Sequence, residues 1–108
     1  AGSVMCAYNR INGPWSCGSN ATLSALLRAE VGFQGFVMSD WGATHATAAL
    51  SAGLDMEMPH AAYYNVTNVR AALAAGTVTL GQIDASARRV LGTVMAKREA
   101  REAFTEPP

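Results

Sequence analysis

The residues that could do chemistry gather at the ends of two apolar runs. The first run, SVMC over residues 3–6, leads into Ala7, Tyr8 and Asn9. The second, GFVMS over residues 35–39, stops at Asp40, and Trp41 and Gly42 follow. Short apolar runs bounded by Gly and polar residues read as buried strands. In parallel α/β structures the working groups stand at the C-terminal ends of such strands. Asp40 has no Lys or Arg within five residues on either side. A carboxylate there can attack an electrophilic carbon or carry a proton, and the neighbouring indole offers a flat face. That pairing suits a saccharide. Spacing alone gives equal weight to a second reading, in which Ser39 or Asp40 caps a helix beginning near Ala43.

Other reactive residue types fall into weaker patterns. Ser39 and His45 flank Asp40, yet their order fits no nucleophile elbow and no G-x-S-x-G occurs. His60 follows Pro59 and reads as a loop residue. No Cys/His cluster has metal-ligand spacing, so no metal is expected. The glycines are too scattered for a phosphate loop, and no cofactor is expected. Lys97 is the only lysine and lies in a late helical segment, which argues against Schiff-base chemistry. Cys6 and Cys17 flank a Gly/Pro-containing loop. A disulfide between them, two buried thiols, and a bond to another part of a longer chain all remain open. Asn20 and Asn65 begin N-x-T triplets that are glycosylation acceptors only on a eukaryotic secretory route.

The elements that must position Asp40 follow from composition and periodicity. The chain has 108 residues, 50% of them hydrophobic and 15% charged, which is a globular composition. Eight basic and eight acidic residues give zero formal net charge, so neither nucleic acid nor an anionic membrane is an expected partner. Leu23, Leu26, Leu27 and Val31 recur at helical spacing, with Ser19 or Asn20 as cap and Gly32 as stop. A small-residue helix is expected over ATHATAALSA, closed by Gly53, and LDMEM reads as a third strand closed by Pro59. Val66, Val69 and Leu73 mark a further helix ending at Gly76. Thr79 and Gln82 form a capping box before a long helix whose apolar stripe is Leu80, Ile83, Ala87, Val90, Leu91 and Val94. The order β-loop-α-β-α-β implies parallel strands with helices outside. Three strands cannot close a barrel, and a (β/α)8 barrel needs about 250 residues. The expected fold is therefore α/β, the last two or three strands of a partial (β/α)8 TIM-type barrel plus C-terminal helices. Residues 1–100 form that part, and residues 101–108, with their proline pair, begin a linker.

Taken in order, SVMCAYNRING, GFQGFVMSDWGATH and AGLDMEMP resemble the barrel domain of glycoside hydrolase family 3, which includes many β-glucosidases. The likeness runs from Gly2 to Pro59 and continues more loosely through GTVTLGQIDASARRVL. The resemblance implies that Asp40 is the catalytic nucleophile and that Trp41 flanks the bound sugar. It also implies that Tyr8 contacts the sugar and the nucleophile region, and that Met5 lines the pocket. A retaining glycosidase of this kind needs a second carboxyl group about 5–5.5 Å from the first. Asp55 and Glu57 are the candidates within the chain, weighed against purely structural roles. In the β-glucosidase branch the acid/base comes from a later region, and the family's earlier Lys-His word is not in this chain.

The expected function is hydrolysis of terminal β-D-glucosyl residues by double displacement, carried out by a complete parent enzyme on a β-glucoside or oligosaccharide. β-Xylosidase and exo-β-glucanase activity are the alternatives within the family, and a non-catalytic truncated piece is the alternative outside it. The isolated chain is expected to lack turnover and to associate with itself or with the rest of its parent. The compartment stays open, with a secreted or periplasmic location favoured.

Overall fold

The computed structural model describes residues 1–103. Strands β1 (Ser3–Cys6) and β2 (Phe36–Ser39) form a parallel pair in which Met5 lies opposite Met38 and Cys6 opposite Ser39. Between them runs helix α1 (Ala21–Glu30), wound with π-type hydrogen bonds such as Val31 N to Leu26 O at 2.9 Å. Its start is capped by Ser19, whose hydroxyl accepts from the Thr22 amide. After β2 come a short helix α2 (Ala49–Ala52), helix α3 (Val66–Ala74) and the long helix α4 (Leu80–Ala103). Asn65 caps α3 by accepting from the Asn68 amide, and Thr79 and Gln82 make the expected reciprocal box at the start of α4.

Period-two alternation divides the sheet into two faces. Val37, Cys6 and the half-buried Val4 face the helices and pack with Leu23, Ala43, Ala49 and Leu54. Phe36, Met38 and Asp40 alternate with these residues and belong to the opposite face. Gly35 allows the two strands to start together, because a Cβ there would collide with the Gly2 carbonyl and the Phe33 ring. Tyr64 packs against both this core and a smaller cluster of Leu50, Ala72 and Val78. Its hydroxyl donates to the Leu54 carbonyl at 2.8 Å. Burial pushes its phenol far above the ordinary value, and the charges of Asp55 and Glu57 add to that.

Three expected elements take a different form. The third strand is reduced to one parallel bridge, Met38 with Met56. Backbone bonds from Met56 N to the Val37 carbonyl and from Ser39 N to the Met56 carbonyl hold this segment to β2, and the Ser39 hydroxyl adds another by accepting from the Met58 amide at 2.9 Å. The helix expected over residues 43–52 is helical only over Ala49–Ala52, because Thr47 donates its hydroxyl to the Tyr63 carbonyl and holds the preceding segment as a loop. The stripe expected to bury α4 is largely turned outward, with Leu80 73%, Leu91 60% and Val94 56% exposed. Ser86 and Arg89 face inward instead, because α4 is held by a buried carboxylate. Helix α4 also continues through Ala103, so residues 101–103 of the expected linker are helical. The remaining linker residues, 104–108, lie outside the described residues.

That carboxylate is Asp55, whose side chain is fully buried. Arg28 of α1 reaches it at 2.6 Å and Arg89 of α4 at 2.7 Å, and the Val37 amide donates to it at 2.9 Å. Burial pushes the Arg28 guanidinium below its ordinary value, with Asp55 opposing that push and Arg89 adding to it. Removing one member of such a group strands the others without partners, which costs about 3–5 kcal/mol. Asp55→Ala is therefore expected to destabilise the protein by that amount in chemical denaturation. Removing the exposed Asp84–Arg88 pair by Asp84→Asn is expected to leave the midpoint unchanged. Equal midpoints for the two variants would contradict this assignment. The outward stripe of α4 and the unpaired edge of β1 also predict that the purified 108-residue chain self-associates. A monodisperse monomer in sedimentation velocity would refute that.

Candidate active site

Asp40 follows directly on β2, and its amide donates to the Cys6 carbonyl at 3.1 Å, so it sits at the shared end of both strands. A turn follows in which Gly42 takes φ 77°, a conformation that favours glycine. The turn is closed by Ala43 N to Asp40 O at 3.0 Å, and Gly42 N donates to the Met58 carbonyl at 3.0 Å. The Asp40 side chain caps no helix. Its Oδ1 accepts from its neighbour's amide, Trp41 N, at 2.7 Å and from the Tyr8 hydroxyl at 2.9 Å. The same hydroxyl lies 2.9 Å from the Trp41 carbonyl and has one proton to share between the two acceptors. Among the described residues nothing donates to Oδ2. One carboxylate oxygen is therefore fixed and the other is free.

The structure brings Tyr8, Asp40 and Trp41 together at one end of the sheet. Tyr8 is 52% and Trp41 65% exposed, so both present aromatic surface to the open side. Met5 is 54% exposed and lies in a row with Met38 and Met56 across the three chain segments. Asp40, two residues beyond Met38, stands above that row. The sequence pattern offered no sign of this alignment, which depends on strand register.

Neither internal candidate for a second carboxyl group joins Asp40. Met56 pairs with Met38, and alternation sends the residues on either side of it to the opposite face. Asp55 is consumed by Arg28 and Arg89, and Glu57 accepts from the Tyr63 and Tyr64 amides at 2.9 and 2.7 Å. Both carboxylates are structural. Ser39 is buried and bonded to Met58, and the His45 ring stacks on Trp15, so no Ser-His pair forms. His60 lies exposed in the loop after Pro59. No group of three or more His, Cys, Asp or Glu among the described residues could hold a metal. Cys6 and Cys17 are joined by a disulfide that ties the end of β1 to the start of the next turn. Asn20 is exposed with no side-chain cap bond, whereas the Asn65 amide is occupied by the α3 cap and by the Ala61 and Ala62 carbonyls.

A half-tethered carboxylate beside an exposed indole, at the end of parallel strands, defines a strand-end site on an α/β scaffold. The chain belongs to glycosyl hydrolase family 3, whose N-terminal domain matches residues 1–93. It is 46% identical over 92 residues to a probable β-glucosidase M of Aspergillus flavus, covering 84% of this chain and 12% of that protein. It is 41% identical to β-glucosidase 1 of Aspergillus aculeatus, covering 99% of this chain and 13% of that protein. Among solved structures, a family 3 β-glucosidase of Bifidobacterium adolescentis superposes with a TM-score of 0.82 at 40% identity, covering 92% of this chain and 14% of the other. A β-glucosidase of Streptomyces venezuelae in complex with D-glucose gives a TM-score of 0.82 at 38% identity, covering 99% and 15%. The chain thus spans 12–13% of the length of these curated relatives.

The hydrogen bond to Asp40 pushes the Tyr8 phenol above its ordinary value, with desolvation and the carboxylate's charge adding to it. The sign follows from the proton. Tyr8 donates only while protonated, so its contribution is complete below the ordinary tyrosine range and is lost as pH rises through the raised value. Asp40→Ala is expected to lower the Tyr8 ionisation midpoint, read as the ultraviolet difference titration against Tyr8→Phe. An unmoved midpoint would show that the two groups do not interact.

Proposed function

We propose that residues 1–100 are the C-terminal part of a (β/α)8 catalytic barrel in a retaining, exo-acting β-glucosidase, with Asp40 as its nucleophile. The observation that carries this reading is the unequal bonding of the Asp40 oxygens in a chain of this family. Oδ1 is held by Tyr8 and by the Trp41 amide. Oδ2 is the free oxygen that attacks the anomeric carbon. The new bond is Oδ2 to that carbon, and the bond that breaks is from the same carbon to the leaving oxygen. A carboxylic acid from elsewhere in the parent protonates that oxygen, then draws a proton from water as water displaces Asp40. Trp41 gives the sugar ring a flat apolar face, Tyr8 bounds the pocket beside the nucleophile, and Met5 contributes to its floor. The names of the similar proteins favour a β-glucoside over a β-xyloside.

In the parent enzyme, Asp40→Gly is expected to lower kcat on an aryl β-glucoside by about 10⁴-fold. Azide should then restore turnover by attacking from the vacated side, giving the α-glucosyl azide. Near wild-type hydrolysis by this variant would exclude Asp40 as nucleophile. Because no second carboxylate faces Asp40 among the described residues, the 108-residue chain alone is expected to show no turnover. Asp40-dependent turnover by the isolated chain would show that its acid/base lies within it.

A further inference from the structure

The loop that carries Tyr8 and the loop that carries Asp40 are joined by a contact outside the reacting groups. Residues Asn9–Ser16 fold back as a small hairpin. Arg10 pairs with Trp15 in an antiparallel bridge, Ile11 N donates to the Pro14 carbonyl at 2.9 Å, and Ser16 N donates to the Asn9 carbonyl at 2.9 Å. The Arg10 guanidinium donates to the Gly13 carbonyl and lies 4.1 Å from the centre of the Trp15 ring. The disulfide from Cys6 to Cys17 closes the base of this hairpin. Trp15 in turn stacks on His45, with ring centroids 3.9 Å apart and planes inclined by 13°. His45 lies in the loop after β2, five residues beyond Asp40. Pro14, Gly18, Ala46 and Ala48 line the space beside the stack.

We infer that Trp15 and His45 form a positioning pair, a stacked latch that holds the β1 loop to the β2 loop and keeps Tyr8 on Asp40. Two segments meet across it. On one side the disulfide, the bridge and Arg10 fix the plane of Trp15. On the other, the Gly42 turn leads from Asp40 toward His45. The Tyr8–Asp40 bond is exposed at the site mouth, where water competes with it, so it depends on its two backbones being held in register. The stack sets the spacing of the two loops, and a misplacement of about 1 Å at a reacting group can cost on the order of 100-fold in rate. The inference rests on Asp40 being the nucleophile. It adds a role for two residues that touch neither the sugar nor the reacting atoms. His45 acts through its ring, not its proton.

The test uses the complete parent enzyme with His45→Ala, His45→Phe and Trp15→Ala. His45→Ala is expected to lower kcat about tenfold with KM changed less than about threefold. His45→Phe, which keeps a stacking ring and cannot titrate, is expected to recover most of the rate and to give the wild-type pH profile. Amide exchange in residues 9–16 and 41–48 should quicken in His45→Ala and return toward wild type in His45→Phe. His45→Ala in the Trp15→Ala background should add no further loss. Unchanged kcat in His45→Ala, or failure of His45→Phe to rescue, would overturn the latch. A pH profile altered only by loss of the imidazole would overturn it in favour of an acid/base role. Asp40→Ala is assayed in parallel. If that variant remains active, the nucleophile assignment fails, and the latch is judged by whether exchange in residues 9–16 responds to His45→Ala.

Discussion

Asp55 is the constraint on which the arrangement depends. A fully buried carboxylate is costly unless every lone pair is engaged. Here two guanidiniums and the Val37 amide engage it, drawing α1, β2 and α4 onto the segment after α2. Arg28 extends the junction by donating to the Gly35 and Gly53 carbonyls, at the start of β2 and the end of α2. Ser86 adds a longer contact from α4 to the Asp55 carbonyl. A mostly polar junction therefore fastens the longest helix, which explains how so much of its apolar surface remains outward.

The same carboxylate sets the phase of the chemistry. Asp55 must face the helices to meet its arginines, and alternation then sends Met56 to the other side. Met56 pairs with Met38, which fixes the register of β2, and Asp40 follows two residues later on the open face. The acid that holds the fold and the acid proposed as the nucleophile thus occupy opposite faces of one sheet. Their surroundings differ accordingly. Asp55 is buried among cations, whereas Asp40 has neutral donors, one free oxygen and an open approach.

Much of this was legible in the chain. The apolar runs at SVMC and GFVMS are strands because each is short and bounded, and their ends could be placed without coordinates. The Thr79–Gln82 box depends only on residues three apart, so local spacing was enough to find it, whereas the choice of Ser19 over Asn20 as the α1 cap came from the structure. Tyr8, Asp40 and Trp41 meet at the end of the two strands. The helical stripe of α4 misled, because apolar periodicity cannot show that Asp55, some thirty residues earlier, requires a cation on the facing side. The loop before α2 misled for a similar reason, since Thr47 bonds to Tyr63 far along the chain.

By itself, then, the sequence determined where the strands stop, which carboxylate stands at a strand end beside an indole, and which family the motifs resemble. Those are properties of neighbouring residues and of period. Only the tertiary structure decided which oxygen of Asp40 is free, that Asp55 and Glu57 are structural, and that Trp15 meets His45. Each of these depends on contacts between segments distant in sequence, where burial and geometry choose among partners that local pattern leaves equivalent.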